Sequence, residues 1–440
     1  MTVQRSTARI PKWGRATART ALAVTIAVGL GSAAACSSEP GSNGEAGNEA
    51  GNEAGSEAGG KIVVWGTSDA NLESLIAEFE DQNPEYTVEY STYSWDALHN
   101  KLVAAVAGGA SPDVSQAADQ EVGEFATLGG LTALDDFREA QGYSEGDFLP
   151  NSWEPFTIDG VSYAAPAYTD VRGLFYRTDL FAEAGISGPP ATLDELISVG
   201  KQLSNGVDQF GFADQTGQLD VHVVSWLVYA FGGDFYSEDG TTATVTSPEV
   251  ISALEYYQSL FTEDVAPQDP ALRVDPWQGF KEGYYAMAHS GPWWMALQKN
   301  EAPEIADSWA LAPLPAGAVS DTVYGHPNPW IVPAGAKNLD GAYAWLAFMM
   351  EPSNQASWFL QTYLLPSRVD AYADSRLADD QMMQQWLTLA DRPTNSVHNV
   401  NNGQAITEAI YAMAGEIKNG ASVQASAEDA NVRIQQALDG

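Results

Sequence analysis

The chain has 440 residues with 58 acidic against 20 basic side chains, a formal net charge of −38, which disfavours nucleic acid and anionic lipid as partners of the folded part. It is longer than one hydrophobic core usually serves, so two domains are expected, with 13 Trp, 18 Tyr and 15 Phe to fill them. A single cysteine, Cys36, excludes an internal disulfide.

At the N-terminus Arg5, Arg9, Lys12, Arg15 and Arg19 form a basic segment without an acid, followed by the apolar run "ALAVTIAVGL" and the small residues "GSAAA". This is the layout of an export signal, with an apolar run too short to span a bilayer comfortably. Cys36, directly after the small residues, resembles the lipobox cysteine of bacterial lipoproteins, although Ala33 stands where the box usually has Leu. The resemblance implies a signal peptide over 1–35 and acylation of Cys36. The protein is then expected to be anchored by lipid on the outer face of the cytoplasmic membrane. Residues 36–60, a stuttering run of Gly, Asn, Glu, Ala and Ser, hold nothing to bury and are expected to act as a tether.

"KIVVWG" is a short β-branched run and reads as a strand. In "NLESLIAEFEDQNP" Leu72, Leu75, Ile76 and Phe79 recur at helical spacing before Pro84, and "YTVEYSTY" alternates as a strand. Strand, helix, strand predicts a parallel α/β sheet with right-handed crossovers. A second helix, "WDALHNKLVAAVAGG", stops at paired glycines, and "PDVSQA" reads as the next strand. Farther on, Thr192 and Glu195 stand at capping-box spacing, and Ser247 with Pro248 opens the helix "TSPEVISALEYYQSLF". No repeat of solenoid length and no long transmembrane run is legible.

Enzyme signatures are scarce. The five histidines, His99, His222, His289, His326 and His398, are scattered without an HExxH or CxxC partner, so neither a metal site nor a cofactor is expected. No Walker A loop or GxGxxG follows the first strand, and there is no GxSxG elbow. Carboxylate pairs of the glycosidase kind carry no weight among 58 acids, because their separation is a structural quantity.

Aromatic residues stand instead beside small, turn-forming ones, in "AAPAYTDVRGLFY", "HSGPWWMALQ", "YGHPNPWIV" and "LLPSRVDAY". Pyranose faces are rows of C–H groups that pack on flat rings, while their hydroxyls seek Asp, Asn and Arg. Such a mixture suits a sugar.

The segments "KIVVWGTSD", "LVAAVAGGASPDV", "DGVSYAAPAYTDVRGLFYRTDLFAEAGI", "PATLDELISVGKQLS", "GFKEGYYAMAHSGPWWM", "PNPWIVPAGAKNLDGAYAWLAFM" and "AMAGEIKNGASVQASAEDANVRIQQAL" follow one another in an order that resembles the extracellular solute-binding proteins of ATP-binding-cassette (ABC) importers, in their carbohydrate-binding branch. The resemblance implies a monomer of two α/β lobes, 61–168 with 325–366 and 169–324 with 367–440, in the two-lobed fold of periplasmic binding proteins. Crossing strands are expected near 166–173, 324–330 and 365–368, with an oligosaccharide in the cleft and the transmembrane subunits of an ABC permease as partners. No catalytic residue is expected. Two other readings stay open: a binder of another polyhydroxy solute, such as a polyol or a glycerol phosphodiester, and a secreted glycoside-active enzyme.

The same resemblance assigns residues. Asp170 and Arg172 are expected to reach sugar hydroxyls, with Tyr168 in the same segment, while Tyr176 and Asp179 look structural. Asp69, Asp119 and Gln120 occupy loops after strands where hydroxyl partners are commonly presented, and Asn328 and Arg368 lie at expected crossings. Trp226 suits a core or a platform about equally. Of the neighbours Trp293 and Trp294 only one can face the cleft, because adjacent side chains diverge by about 100° on a helix; Trp293, directly after Gly-Pro, is expected to be the platform. "YGHPNPW" stands where many relatives have a Gly-Gly pair, which leaves His326 and Trp330 without an assigned role.

Overall fold

A computed structural model of the chain describes residues 59–67, 70–213, 219–317, 319–390, 392–396, 400 and 402–440. The expected signal, most of the tether, Cys36 and Asp69 lie outside the described residues. Strand β1 (Gly60–Thr67) buries Ile62 and Val64 and pairs in parallel with β2 (Tyr86–Tyr93) along its whole length, from Gly60↔Tyr86 to Thr67↔Tyr93. Between them the helix Glu73–Gln82 turns Leu75 and Phe79 onto the sheet, and each fully buried side chain of this size stabilises by about 1.5–3 kcal/mol. The helix Trp95–Gly108 starts at Ser94, whose hydroxyl accepts the Ala97 N–H, and stops at Gly109, whose φ of 67° suits glycine. β3 (Val114–Gln116) then pairs in parallel with β1 on its other side.

The remaining strands are β4 (Thr157–Ile158), β5 (Val161–Ser162), β6 (Ala164–Val171), β7 (Gly173–Arg177), β8 (Met287–Ser290), β9 (Trp309–Ala312), β10 (Val323–Ile331), β11 (Leu365–Pro366) and β12 (Thr394–Asn395). The large sheet runs β11-β6-β10-β3-β1-β2, with β12 against the start of β10. It is mixed rather than wholly parallel: β10 is antiparallel to β3 and to β6, and β11 is antiparallel to β6. The reason is connectivity. β6 and β10 do not arrive by strand-helix-strand crossovers but run in opposite senses between the two sheets. β6 passes through Arg172 straight into β7, the central strand of the antiparallel sheet β8-β7-β9.

Two lobes result. In the first, Ile62, Phe79, Trp330, Trp345 and Trp358 pack on one side of the large sheet, and Leu98, Leu102, Phe125 and Phe156 form a smaller cluster. In the second, alternation along β7 separates two cores. Leu174 faces Trp226, Tyr257, Phe261, Ile410 and Ile434, whereas its neighbour Phe175 faces Phe280, Trp294 and Trp386. The second lobe's helices begin where expected. The Thr192 hydroxyl accepts the Glu195 N–H, while the Glu195 carboxylate reaches back to the Ala191 N–H, one residue beyond the expected capping-box partner. Ser247 caps the helix Pro248–Thr262. Asp179 is tied to Arg177 at 2.9 and 2.6 Å, a contact within the second lobe.

Candidate functional site

Two antiparallel strands make the floor of the site. In β6 and β10 successive side chains point to opposite faces, which sets Tyr168, Asp170 and Arg172 on the same side as Tyr324, His326 and Asn328; His326 lies opposite Asp170, and Asn328 opposite Tyr168. The ladder slips between Asn328 and Pro329, where Pro327 and Pro329 have no N–H to donate. All six residues line a cavity of about 710 Å³. The Asn328 side chain is 4% exposed, and its Nδ2 has no partner among the described residues.

Walls come from helix ends and turns. The first turns of the helix Trp95–Gly108 contribute Trp95, Asp96, His99 and Asn100; the turn Asp119–Glu121 contributes Gln120 and Glu121; the helix Leu219–Ala230 contributes Val221 and His222. The helix Gly403–Lys418 presents Gln404, Thr407 and Glu408, spaced by three and four so that they share one face. Trp293, the first residue of the helix Trp293–Glu301, closes the cavity near Arg172.

Arg172 organises the charges. Its Nη1 and Nη2 meet the two oxygens of Asp170 at 3.0 Å each, and Nη2 lies 2.9 Å from His222 Nδ1. A guanidinium can only donate, so His222 Nδ1 must accept, and the ring is the neutral tautomer carrying hydrogen on Nε2. Burial and then the Arg172 charge hold the His222 pKa well below the ordinary histidine range. The His222 ring stacks on Tyr324, with centroids 4.4 Å apart, and burial pushes the Tyr324 hydroxyl pKa up. His326 sits between two carboxylates, 3.4 Å from Asp119 Oδ1 and 3.6 Å from Asp170 Oδ2. At the rim His99 Nδ1 lies 2.9 Å from Glu121, and that hydrogen bond raises the His99 pKa. No group of three or more His, Cys, Asp or Glu among the described residues is placed to hold a metal ion.

The expected ligand residues fall into two sets. Gln120, Tyr168, Asp170, Arg172, Trp293 and Asn328 line the cavity. Asp119 is buried behind it, accepting from Ser396 Oγ at 2.8 Å and facing His326. Three others do not line it. Trp226 is a core residue, 1% exposed and stacked on His289, because its position on the helix Leu219–Ala230 turns it toward the second lobe's interior. Trp294 is buried against Phe175, Trp277 and Phe280. Arg368 folds back onto Asp370, two residues on, at 3.1 and 2.7 Å, and lies over Tyr143 and Phe148.

Trp293 does not offer an open ring on both faces: the Arg172 guanidinium covers one face at 4.3 Å from the centroid, and Gly291 abuts its edge closely enough that a Cβ there would collide. Trp95, His99, Glu121, His222, Tyr324 and Glu408 were not singled out as ligand residues by their sequence pattern. For Tyr324 and His326 the signal was present, as the alternation Tyr-Gly-His-Pro-Asn in "YGHPN". The helical residues gave only i, i+3, i+4 spacing, which any amphipathic helix shares.

Residues 74–385 match the family of bacterial extracellular solute-binding proteins. An uncharacterised lipoprotein of Streptomyces antibioticus is 27% identical over 319 residues, covering 70% of this chain and 70% of its own. The diacetylchitobiose-binding protein DasA of Streptomyces coelicolor is 26% identical over 318 residues, covering 70% of this chain and 73% of its own. Among solved structures, the GacH receptor of Streptomyces glaucescens, determined unliganded and with acarbose, aligns with a TM-score of 0.77 at 24% identity, over 87% of this chain and 99% of that one.

Proposed function

The chain belongs to the bacterial extracellular solute-binding proteins, and from that premise we propose that it is the sugar-binding subunit of an ABC importer, taking a short oligosaccharide in the cavity between its lobes and handing it to a membrane permease. The floor carries this reading: Tyr168, Asp170 and Arg172 set against Tyr324, His326 and Asn328 put rings and hydrogen-bonding groups on one surface. Rings pack on pyranose C–H faces, while carboxylate, guanidinium and amide groups pair with vicinal hydroxyls. The cavity volume, about 710 Å³, falls within the range of about 300–1,000 Å³ typical of small-molecule sites. Trp95, half-buried at the cavity wall, adds a second ring to Trp293.

A glycerol phosphodiester fits less well. Arg172 is the only Arg or Lys among the described lining residues and is already held by Asp170, so a phosphate would meet Asp96, Glu121 and Glu408 with no second Arg or Lys among those residues. The protein binds its sugar and returns it unaltered. It sits on the outer face of the cytoplasmic membrane through an acylated Cys36, in keeping with the similarity to a lipoprotein.

The test is a thermal-shift and calorimetric panel of mono- and oligosaccharides. A ligand at 100 times its Kd adds about 2.7 kcal/mol to stability. A panel in which no saccharide raises the melting temperature contradicts the reading, and a recovered sugar that has been cleaved contradicts its non-enzymatic part. Membrane retention of Cys36→Ala equal to that of wild type contradicts the anchor.

A further inference from the structure

On the reading that the cavity takes a sugar, we infer that His222 is one of the groups that hold it: a neutral donor to a sugar oxygen, kept in its donating tautomer by Arg172. The imidazole has two polar atoms. Nδ1 accepts from Arg172 Nη2 at 2.9 Å, because a guanidinium only donates. Nε2 therefore carries the hydrogen of the ring. The ring lines the cavity, and Nε2 has no partner among the described residues.

Both neighbours of the ring fix its orientation. Asp170 holds Arg172 through Nη1 and Nη2 at 3.0 Å each, and Tyr324 stacks on the imidazole with centroids 4.4 Å apart. The charged and titratable groups around the ring are Arg172 after β6, Tyr324 and His326 on β10, and His289 on β8. Burial first, and then Arg172, holds the His222 pKa well below the ordinary histidine range, so the ring refuses a second hydrogen where a free imidazole takes one.

Two further donors agree with this polarity. Asn328 Nδ2 and Arg172 Nε are buried and have no partner among the described residues, and both residues, 4% and 3% exposed, line the same cavity. A buried N–H without an acceptor is costly, and oxygens of a bound sugar remove that cost. The oxygens that suit these donors are neutral ones, of hydroxyl, ring or acyl groups: His222 offers no charge, and the charge of Arg172 is already answered by Asp170. The sugar then lies with acceptor oxygens toward the two strands and toward the helix Leu219–Ala230.

Histidine-ring NMR and calorimetry on the full chain test this, with maltotriose, cellobiose and mannobiose as probes. The ring signal missing from His222→Gln identifies His222. In the ligand-free protein at about pH 6, below the ordinary histidine value, this ring should be neutral with its hydrogen on Nε2. A hydrogen on Nδ1, or an imidazolium, overturns the assignment. Each saccharide that raises the melting temperature should shift the Nε2–H resonance; binding that leaves it in place overturns the role of His222 and leaves the sugar reading standing. His222→Leu removes both polar atoms and should weaken binding of the same saccharide about tenfold, equivalent to about 1.4 kcal/mol. His222→Gln, whose carbonyl accepts from Arg172 while its amide donates, should recover part of that loss. Unchanged affinity in His222→Leu overturns the inference, and where that variant fails to fold the two ring spectra decide. Absence of binding by every saccharide overturns the sugar reading itself, and the role of His222 with it.

Discussion

The guanidinium of Arg172 lies 4.3 Å over the centroid of the Trp293 ring, while Trp294, the next residue, is buried against Phe175, Trp277 and Phe280. One ring therefore serves the cavity and orients the guanidinium of Arg172; the other holds a core together.

Trp293→Ala and Trp294→Ala should separate these roles. Emptying the core site at Trp294 should cost about 3–5 kcal/mol of stability. Trp293→Ala should lower sugar affinity by about 1–2 kcal/mol, through the lost ring and the freed Arg172, with a smaller effect on unfolding. Melting curves and calorimetry on both variants check this, and a Trp294→Ala protein as stable as wild type would count against the core assignment.

Asp170 and Arg172 form a largely buried pair, with side chains 12% and 2% exposed. Arg172→Met leaves the Asp170 carboxylate without its guanidinium and should cost about 3–5 kcal/mol. It should also raise the His222 pKa, since the Arg172 charge is one of the causes that lower it, after burial. An NMR titration of the histidine rings reads the second effect. A His222 pKa that does not rise would mean that burial and the neighbouring His326 and His289 set it without Arg172.

The buried histidines predict a direction with pH. Burial holds the pKa values of His222 and His289 well below the ordinary histidine value of 6.5. Below pH 6.5 the unfolded chain takes up protons that the folded protein refuses, so stability falls as pH drops through that value toward the folded pKa. His99 works oppositely. Its hydrogen bond to Glu121 raises its pKa, so its contribution is fully present below 6.5 and is lost as pH rises through the folded pKa. The melting temperature should therefore fall between about pH 7 and pH 5, and His99→Gln should make that fall steeper. A shallower fall in the variant contradicts the sign.

Gly403 and Gly123 allow the turn Asp119–Glu121 and the helix Val122–Thr127 to meet Val400 and Gly403 at close range. A Cβ on Gly403 would stand 2.4 Å from the Gln120 carbonyl oxygen, and one on Gly123 would stand 2.7 Å from that of Val400. Gly403→Ala must displace this contact, which also carries the Asp119–Ser396 hydrogen bond. Overpacking of this kind costs about 1–3 kcal/mol, and here it should appear as weaker ligand binding, because Gln120, Glu121 and Gln404 all line the cavity. Unchanged affinity in Gly403→Ala would show that the contact does not set the cavity's shape.

Local pattern determined much of this protein. The strand-helix-strand opening, the stops at Gly109 and Asn83, the caps at Thr192 and Ser247, and the alternation that puts Tyr168, Asp170 and Arg172 on one face all depend on neighbours within a few residues. The order of segments likewise pointed to the family. Tertiary structure decided what depends on distant partners. Trp226 turns inward because His289 and the second lobe's core meet that side of its helix, and Arg368 stays outside the cavity because Asp370 and the rings of Tyr143 and Phe148 hold it. Glu408 and His99, 309 positions apart in the chain, line one cavity, beside the close approach of Gly403 to Gln120. Spacing along a helix shows which residues share a face; which face meets the cleft is fixed by packing between elements far apart in sequence.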